Sequence, residues 1–174
     1  MDCREVLSAS YGGVLNVLEP ALEGLTKEDL NWQPRPDCNS IGWLVWHLTR
    51  VQDGLIASLL GEEQLWIKGG WHTKFGRPPD ANDSGYGHTP QDLAKFKSPD
   101  VKTLLGYHRA VLERSQRYFS TLSPADLDRE LKEPPFLPPK VGLRLVIFLS
   151  DSLQHAGQVA YLRGLRQGKG WQKF

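Results

Sequence analysis

Apolar positions recur at three- and four-residue steps in four separate stretches, and each stretch predicts an amphipathic helix. In the first, from about Cys3 to Leu25, the stripe is Leu7, Tyr11, Val14, Leu15, Leu18, Leu22 and Leu25. Pro20 falls inside it, and its ring removes a backbone donor, so a kink or break is expected there. Thr26, with Asp29 three residues on, has the form of a capping box and predicts a short turn. The second stretch opens at Asn39-Ser40, both good N-caps, and ends near Gly61. Its stripe is Ile41, Leu44, Val45, Leu48, Val51, Leu55 and Leu59.

The third helix is expected to open with Ser98-Pro99-Asp100, as a cap, a first-turn proline and a first-turn acid. Val101, Leu104, Leu105, His108, Val111, Leu112, Phe119 and Leu122 form its stripe. The fourth follows the proline-rich 134–139 segment and runs from about Val141 to Arg166, with Gly168 as its stop. Between the second and third helices lies an irregular segment, roughly Gly69 to Pro90, rich in Gly, Pro, Asp and Asn. Thr89-Pro90-Gln91-Asp92 marks the start of one more short helix near its end. No alternating strand pattern competes, so the expectation is an all-α protein. It would be one bundle domain over residues 1–174 with a long crossover between its second and third helices.

Composition narrows the function classes. Basic and acidic residues number 21 and 20, a balance that gives no electrostatic reason for nucleic acid or an anionic membrane as partner. No basic stripe with interleaved aromatics is present either. The longest apolar stretch, around Leu145 to Leu149, is far too short to span a bilayer. No basic segment followed by a long apolar run opens the chain, so no signal peptide is expected. The two cysteines, Cys3 and Cys38, form no disulfide framework, and a cytoplasmic setting is the simple expectation. Five of the six tryptophans fall between Trp32 and Trp71, as core packing or as the wall of a cleft.

Candidate chemistry sits on two helices. Asp151 and His155 are four apart, which stacks them on one helix face and lets them share a metal. For an arbitrary pair at that spacing an ion pair is the commoner explanation. Here Phe148, Asp151, His155, Gln158 and Leu162 step by three and four, so the polar trio lies among core-facing neighbours. His47 occupies a similar place on the second helix, three after Leu44 and four before Val51. Buried polar groups need partners, and a metal would satisfy all three at once. His108 also lies on an apolar stripe, where a satisfied core histidine is the better reading. Arg77 is either an anion contact or a solvated loop charge, and His72 is no more than a loop histidine.

Three motifs then point to a family. Ser40-Ile41-Gly42-Trp43-Leu44-Val45-Trp46-His47-Leu48 resembles the "S-I-G-x-L-x-x-H" helix of the DinB-like (YfiT-like) superfamily. Gly85-Tyr86-Gly87-His88-Thr89 is similar to the "G-Y-G" loop of some of its actinobacterial-type members. Leu153-Gln154-His155-Ala156-Gly157-Gln158 resembles its closing "H-x-G-Q" helix. The resemblance implies a four-helix bundle with a divalent-metal site whose first and last ligands are His47 and His155. The middle ligand, often histidine, falls on Asp151; the related mycothiol-dependent maleylpyruvate isomerases use glutamate there. Asp is one methylene shorter, which draws a metal toward the helix.

Two histidines and one carboxylate suit zinc in an open site, with nickel or ferrous iron as alternatives. The resemblance further implies activation of a low-molecular-weight thiol of the mycothiol or bacillithiol type. Such a thiol would serve S-transfer or isomerisation of an electrophilic small molecule. Gln158, Trp43 and Tyr86 are the expected contacts for that cosubstrate, and Trp46, Trp71 and His88 are further candidates for the cleft. A metal-dependent hydrolase and a non-enzymatic metal- or ligand-binding bundle stay open as alternatives. Two-fold self-association through an apolar helix face is also open.

Overall fold

The computed structural model describes residues 1–132, 134–168 and 170–171. Among them are nine helices and no strand, only an isolated antiparallel bridge between Glu130 and Lys140. Helix α1 (Cys3–Leu22) is capped by Asp2, whose carboxylate accepts from Arg4 and Glu5 backbone N–H groups. Pro20 is tolerated in its last turns, but the helix gives out at Leu22 rather than reaching Leu25. Helix α2 (Lys27–Asn31) carries the expected Thr26–Asp29 capping box. Helix α3 (Ile41–Leu60) starts at Ser40, whose hydroxyl accepts from Trp43 N–H, and stops at Gly61 in the left-handed region.

Three short helices follow: α4 (Leu65–Lys68), α5 (Trp71–Lys74) and α6 (Pro90–Lys95). The expected irregular segment therefore contains one helical turn, α5, and α6 starts where Thr89 predicts it. Helix α7 (Val101–Thr121) corrects the expected cap. Asp100, not Ser98, accepts from Thr103 N–H, so Pro99 lies before the cap. Ser98 is instead buried: its N–H donates to Asn31 Oδ1, and it packs against Gly42. A Cβ at Gly42 would lie 2.3 Å from the Ser98 side chain, so only glycine permits that approach. Helices α8 (Pro124–Asp128) and α9 (Val141–Gln167) complete the chain.

The long helices α1, α3, α7 and α9 form the bundle, with α1 and α3 each packed on α7 and α9. Tyr11 donates to the Leu145 carbonyl and Arg163 to the Glu23 carbonyl, so α1 and α9 run the same way. Gly42 meets Ser98 and Gln52 donates to Ser115, so α3 and α7 are also parallel. Arg109 pairs with Glu19 while Tyr11 contacts Phe119, which sets α1 antiparallel to α7. The order is up-down-down-up. Two parallel neighbours need a return along the whole bundle, and residues 61–100 provide it.

That return is anchored from inside. Buried Arg50 donates to the carbonyls of Asp80, Ala81 and Asp83 and to Gln64 Oε1. Asp53, fully buried, accepts from the N–H groups of Leu65 and Trp66, capping α4, and from the Tyr107 hydroxyl. The crossover thus covers the outer side of α3, and every residue from Ser40 to Arg50 is buried. No helix among the described residues is long and apolar enough to cross a membrane.

Candidate metal centre

His47, Asp151 and His155 converge between α3 and α9. One donor atom from each lies within 4.8 Å of the others. His47 is buried, while Asp151 and His155 are half-buried, so the group opens to solvent on the α9 side. The rings of His47 and His155 meet edge to face at 4.8 Å between centroids.

Each imidazole has one nitrogen committed to the protein. Nδ1 of His47 lies 2.5 Å from the Ser84 carbonyl oxygen. A carbonyl only accepts, so Nδ1 carries the proton and Nε2 keeps its lone pair. Nδ1 of His155 donates to Gln158 Oε1 at 2.8 Å, and its Nε2 stands 3.4 Å from Asp151 Oδ1. Outer partners on Nδ1 are the usual device for fixing the tautomer and aim of a metal-binding histidine. The second carboxylate oxygen, Asp151 Oδ2, is buried with no hydrogen-bond partner. An uncompensated buried carboxylate oxygen is costly, and a cation would satisfy it.

Two histidines and a carboxylate are a fitting donor set for a divalent ion with an open position. Donor atoms around a tetrahedral ion stand roughly 3.4 Å apart, given bonds of about 2.1 Å. The Asp151–His155 pair already has that spacing, and the widest pair at 4.8 Å would close by a side-chain adjustment. Burial pushes the His47 pKa below its ordinary value, with the nearby His155 adding to the effect. For His155 burial works downward too, but hydrogen bonds to Asp151 and Gln158 outweigh it and the pKa is raised.

The crossover builds the wall of the site. Trp43 stacks on His47, 4.8 Å between ring centroids and 12° from parallel. Its Nε1 donates to His88 Nδ1, and His88 Nε2 faces Asp83 Oδ1 at 3.1 Å. Arg77 binds the other Asp83 oxygen and lies over the Trp46 ring. Arg77 lowers the Asp83 pKa despite the opposing effect of burial. Arg77 is thus committed to an internal ion pair, although sequence alone left it open as an anion contact. Gly85 adopts φ +90°, and a Cβ there would meet Trp43 at 2.7 Å and Trp46 at 2.9 Å, so Ser84 is delivered to His47 through a position only glycine fits.

The other candidates are placed as follows. Gln158, expected as a cosubstrate contact, holds His155 through its Oε1. Tyr86 is 92% exposed at the tip of the loop, between two positive-φ glycines. Trp46 is core, against Trp66 and Phe96, and Trp71 packs on Tyr107. His108 is fully buried, with Nδ1 on the Thr49 hydroxyl at 3.1 Å but Nε2 without a partner, so it is a core histidine only half satisfied. Ser84 was missed from sequence because it acts through its backbone carbonyl, which no side-chain pattern reveals.

A solved structure, that of a conserved protein from Enterococcus faecalis, is similar to this chain. The two are 28% identical with a TM-score of 0.87, over 97% of this chain and 99% of that one. No curated protein matches the chain. The DinB superfamily profile matches residues 12–159, which span the bundle from the middle of α1 to the His47, Asp151 and His155 group, and the chain belongs to the DinB superfamily.

Proposed function

We propose that this protein is a metal-dependent enzyme that activates a low-molecular-weight thiol for transfer to, or isomerisation of, an electrophilic small molecule. The observation that carries the reading is the preorganised donor set. One donor atom each of His47, Asp151 and His155 lies within 4.8 Å of the others, with both Nδ1 atoms already held by Ser84 and Gln158. Zinc is the favoured ion for this set, and it would lower the pKa of a bound thiol so that the nucleophilic thiolate exists at neutral pH.

The chain's own residues do the rest. His47 and His155 each hold Nδ1 on an outer acceptor, which leaves Nε2 as the nitrogen available to a cation. Asp151 supplies the negative charge that balances a cation. The Trp43 face, stacked on His47, shields that side of the centre from water. Gln158, exposed and bonded to His155, stands on the solvent side, where a cosubstrate of the mycothiol or bacillithiol type would enter, and the exposed Tyr86 would be a further contact for it. Neither Cys3 nor Cys38 is among the groups at the centre, so the nucleophilic sulfur has to come from outside the chain.

Elemental analysis of the purified protein tests the site, and thiol consumption with an electrophile tests the activity. Near-stoichiometric metal is expected in the parent, with strong loss in His47→Ala and Asp151→Ala. Gln158→Leu should bind metal about 10–100-fold more weakly, because it removes an outer partner of a ligand. Unchanged metal in either alanine variant removes that residue from the site. Substrate hydrolysis with no thiol consumed would replace this reading by that of a hydrolase.

A further inference from the structure

The outward face of α9 is unlike that of its neighbours. Every exposed residue between Val141 and Gln167 is uncharged. Six of them are large and apolar or aromatic: Leu143, Val146, Ile147, Leu153, Tyr161 and Leu165, each between 43% and 68% exposed. The outward faces of α1 and α7 instead carry Arg4 and Glu5, and Lys102, Arg109, Glu113 and Arg117. The charges of α9 lie elsewhere. Arg144 and Arg163 are buried inward, Asp151 and His155 belong to the metal centre, and Arg166 is paired with Glu28 and Asp29.

We infer that this face is the contact surface between two copies of the chain, paired antiparallel through α9 about a two-fold axis. Leu143, Ile147, Ser150, Gln154, Gly157 and Tyr161 alternate steps of four and three, the spacing of a helix–helix seam. An axis crossing at Gln154 sets Leu143 opposite the partner's Leu165 and Ile147 opposite the partner's Tyr161. Large apolar groups then meet at both ends, while Ser150 and Gly157 let the backbones approach near the middle. A Cβ at Gly157 would meet nothing within 4 Å, so the space beside it lies outside the protomer. Gln154 meets its own copy on the axis, and an amide both donates and accepts, so that pair is self-complementary.

The choice of a second copy rests on charge and area. A two-fold contact brings a surface against itself, so any charge on the axis meets its like; this strip has none. A membrane-surface helix would flank its apolar strip with Lys and Arg, and the exposed positions of α9 have neither. The 27 residues of α9 span about 40 Å, and a helix face is about 12 Å wide. That gives about 500 Å² per copy and about 1,000 Å² in total, the lower bound for a specific interface. Asp151 and Gln158 lie less than a quarter turn round α9 from the seam, so the partner helix would pass beside the open side of the metal centre.

Sedimentation equilibrium of the full chain at micromolar concentration tests the inference. The expected mass is twice 19.6 kDa, falling to 19.6 kDa in Ile147→Glu and in Tyr161→Glu, with the helical circular dichroism of the parent retained. Gln154→Cys is the independent arm, because a residue on the axis meets its copy. On mild oxidation it should form a disulfide-linked dimer that the parent, with Cys3 and Cys38 alone, does not form. A monomeric parent, charge variants that remain dimeric, or a Gln154→Cys protein that fails to cross-link each overturns the proposal. Binding of a monomeric parent to phospholipid vesicles would overturn it in favour of a membrane surface.

Discussion

Three histidines in this protein meet two different conditions, and the difference is one nitrogen. His47 and His155 each give Nδ1 to a fixed acceptor and keep Nε2 for the centre. His108 gives Nδ1 to the Thr49 hydroxyl, whose own proton goes to the Val45 carbonyl, and its Nε2 faces no partner. Complete burial holds its pKa down to about 4. In the unfolded chain the same group titrates near 6.5, so below that pH the unfolded state binds more protons than the folded one. Stability therefore falls as pH drops from 6.5 toward 4 and levels off below. His108 should contribute about 2 kcal/mol to the loss between pH 7 and pH 4.5. Urea unfolding of the parent and of His108→Asn at both pH values measures it: the variant, whatever its stability at pH 7, should show a correspondingly smaller drop. Equal drops in the two proteins would mean that His108 is already protonated in the fold. The apolar stripe on α7 made His108 legible in sequence as core, but its missing second partner is a fact of packing that no spacing encodes.

At the scale of elements, the four long helices were legible because each writes a 3.6-residue period over five or more turns. What was not legible is what lies on the polar side of α3. Arg50, Gln52 and Asp53 lie outside the apolar stripe, yet all three are buried as anchors for other segments. Arg50 holds one stretch of crossover backbone by three carbonyls, those of Asp80, Ala81 and Asp83, and Ser84, which fixes His47, follows directly on Asp83. The Ser98 cap failed for a related reason, since Asn31 of α2 claims its backbone and the helix begins one proline later. Arg50→Met should therefore cost about 3–5 kcal/mol, because it strands buried carbonyls and removes a cation from beside buried Asp53. Limited proteolysis gives the sharper readout. Cleavage within residues 77–88 should appear in the variant at protease levels that leave the parent intact. Unchanged cleavage would show that the aromatic contacts of Trp43 and Trp46 suffice to hold the loop.

For the whole molecule the consequence is linkage between metal and stability. The donors come from α3 and α9, and 108 positions of chain separate His47 from His155. The pair Asp151 and His155 was legible from spacing, and His47 from its place on the second stripe. Their meeting depended on the up-down-down-up order, which local pattern does not specify. An ion held by all three groups exists only in the folded chain, since unfolding separates His47 from the other two. Metal at 100 times its dissociation constant would then add about 2.7 kcal/mol to the unfolding free energy. For a chain of 174 residues that corresponds to a rise in Tm of about 5–11 °C. Differential scanning calorimetry of metal-stripped protein, titrated with zinc, should show that rise in the parent and lose it in His155→Ala. The same rise in the variant would place the ion on other side chains, and no rise in the parent would mean that the three groups meet without holding one.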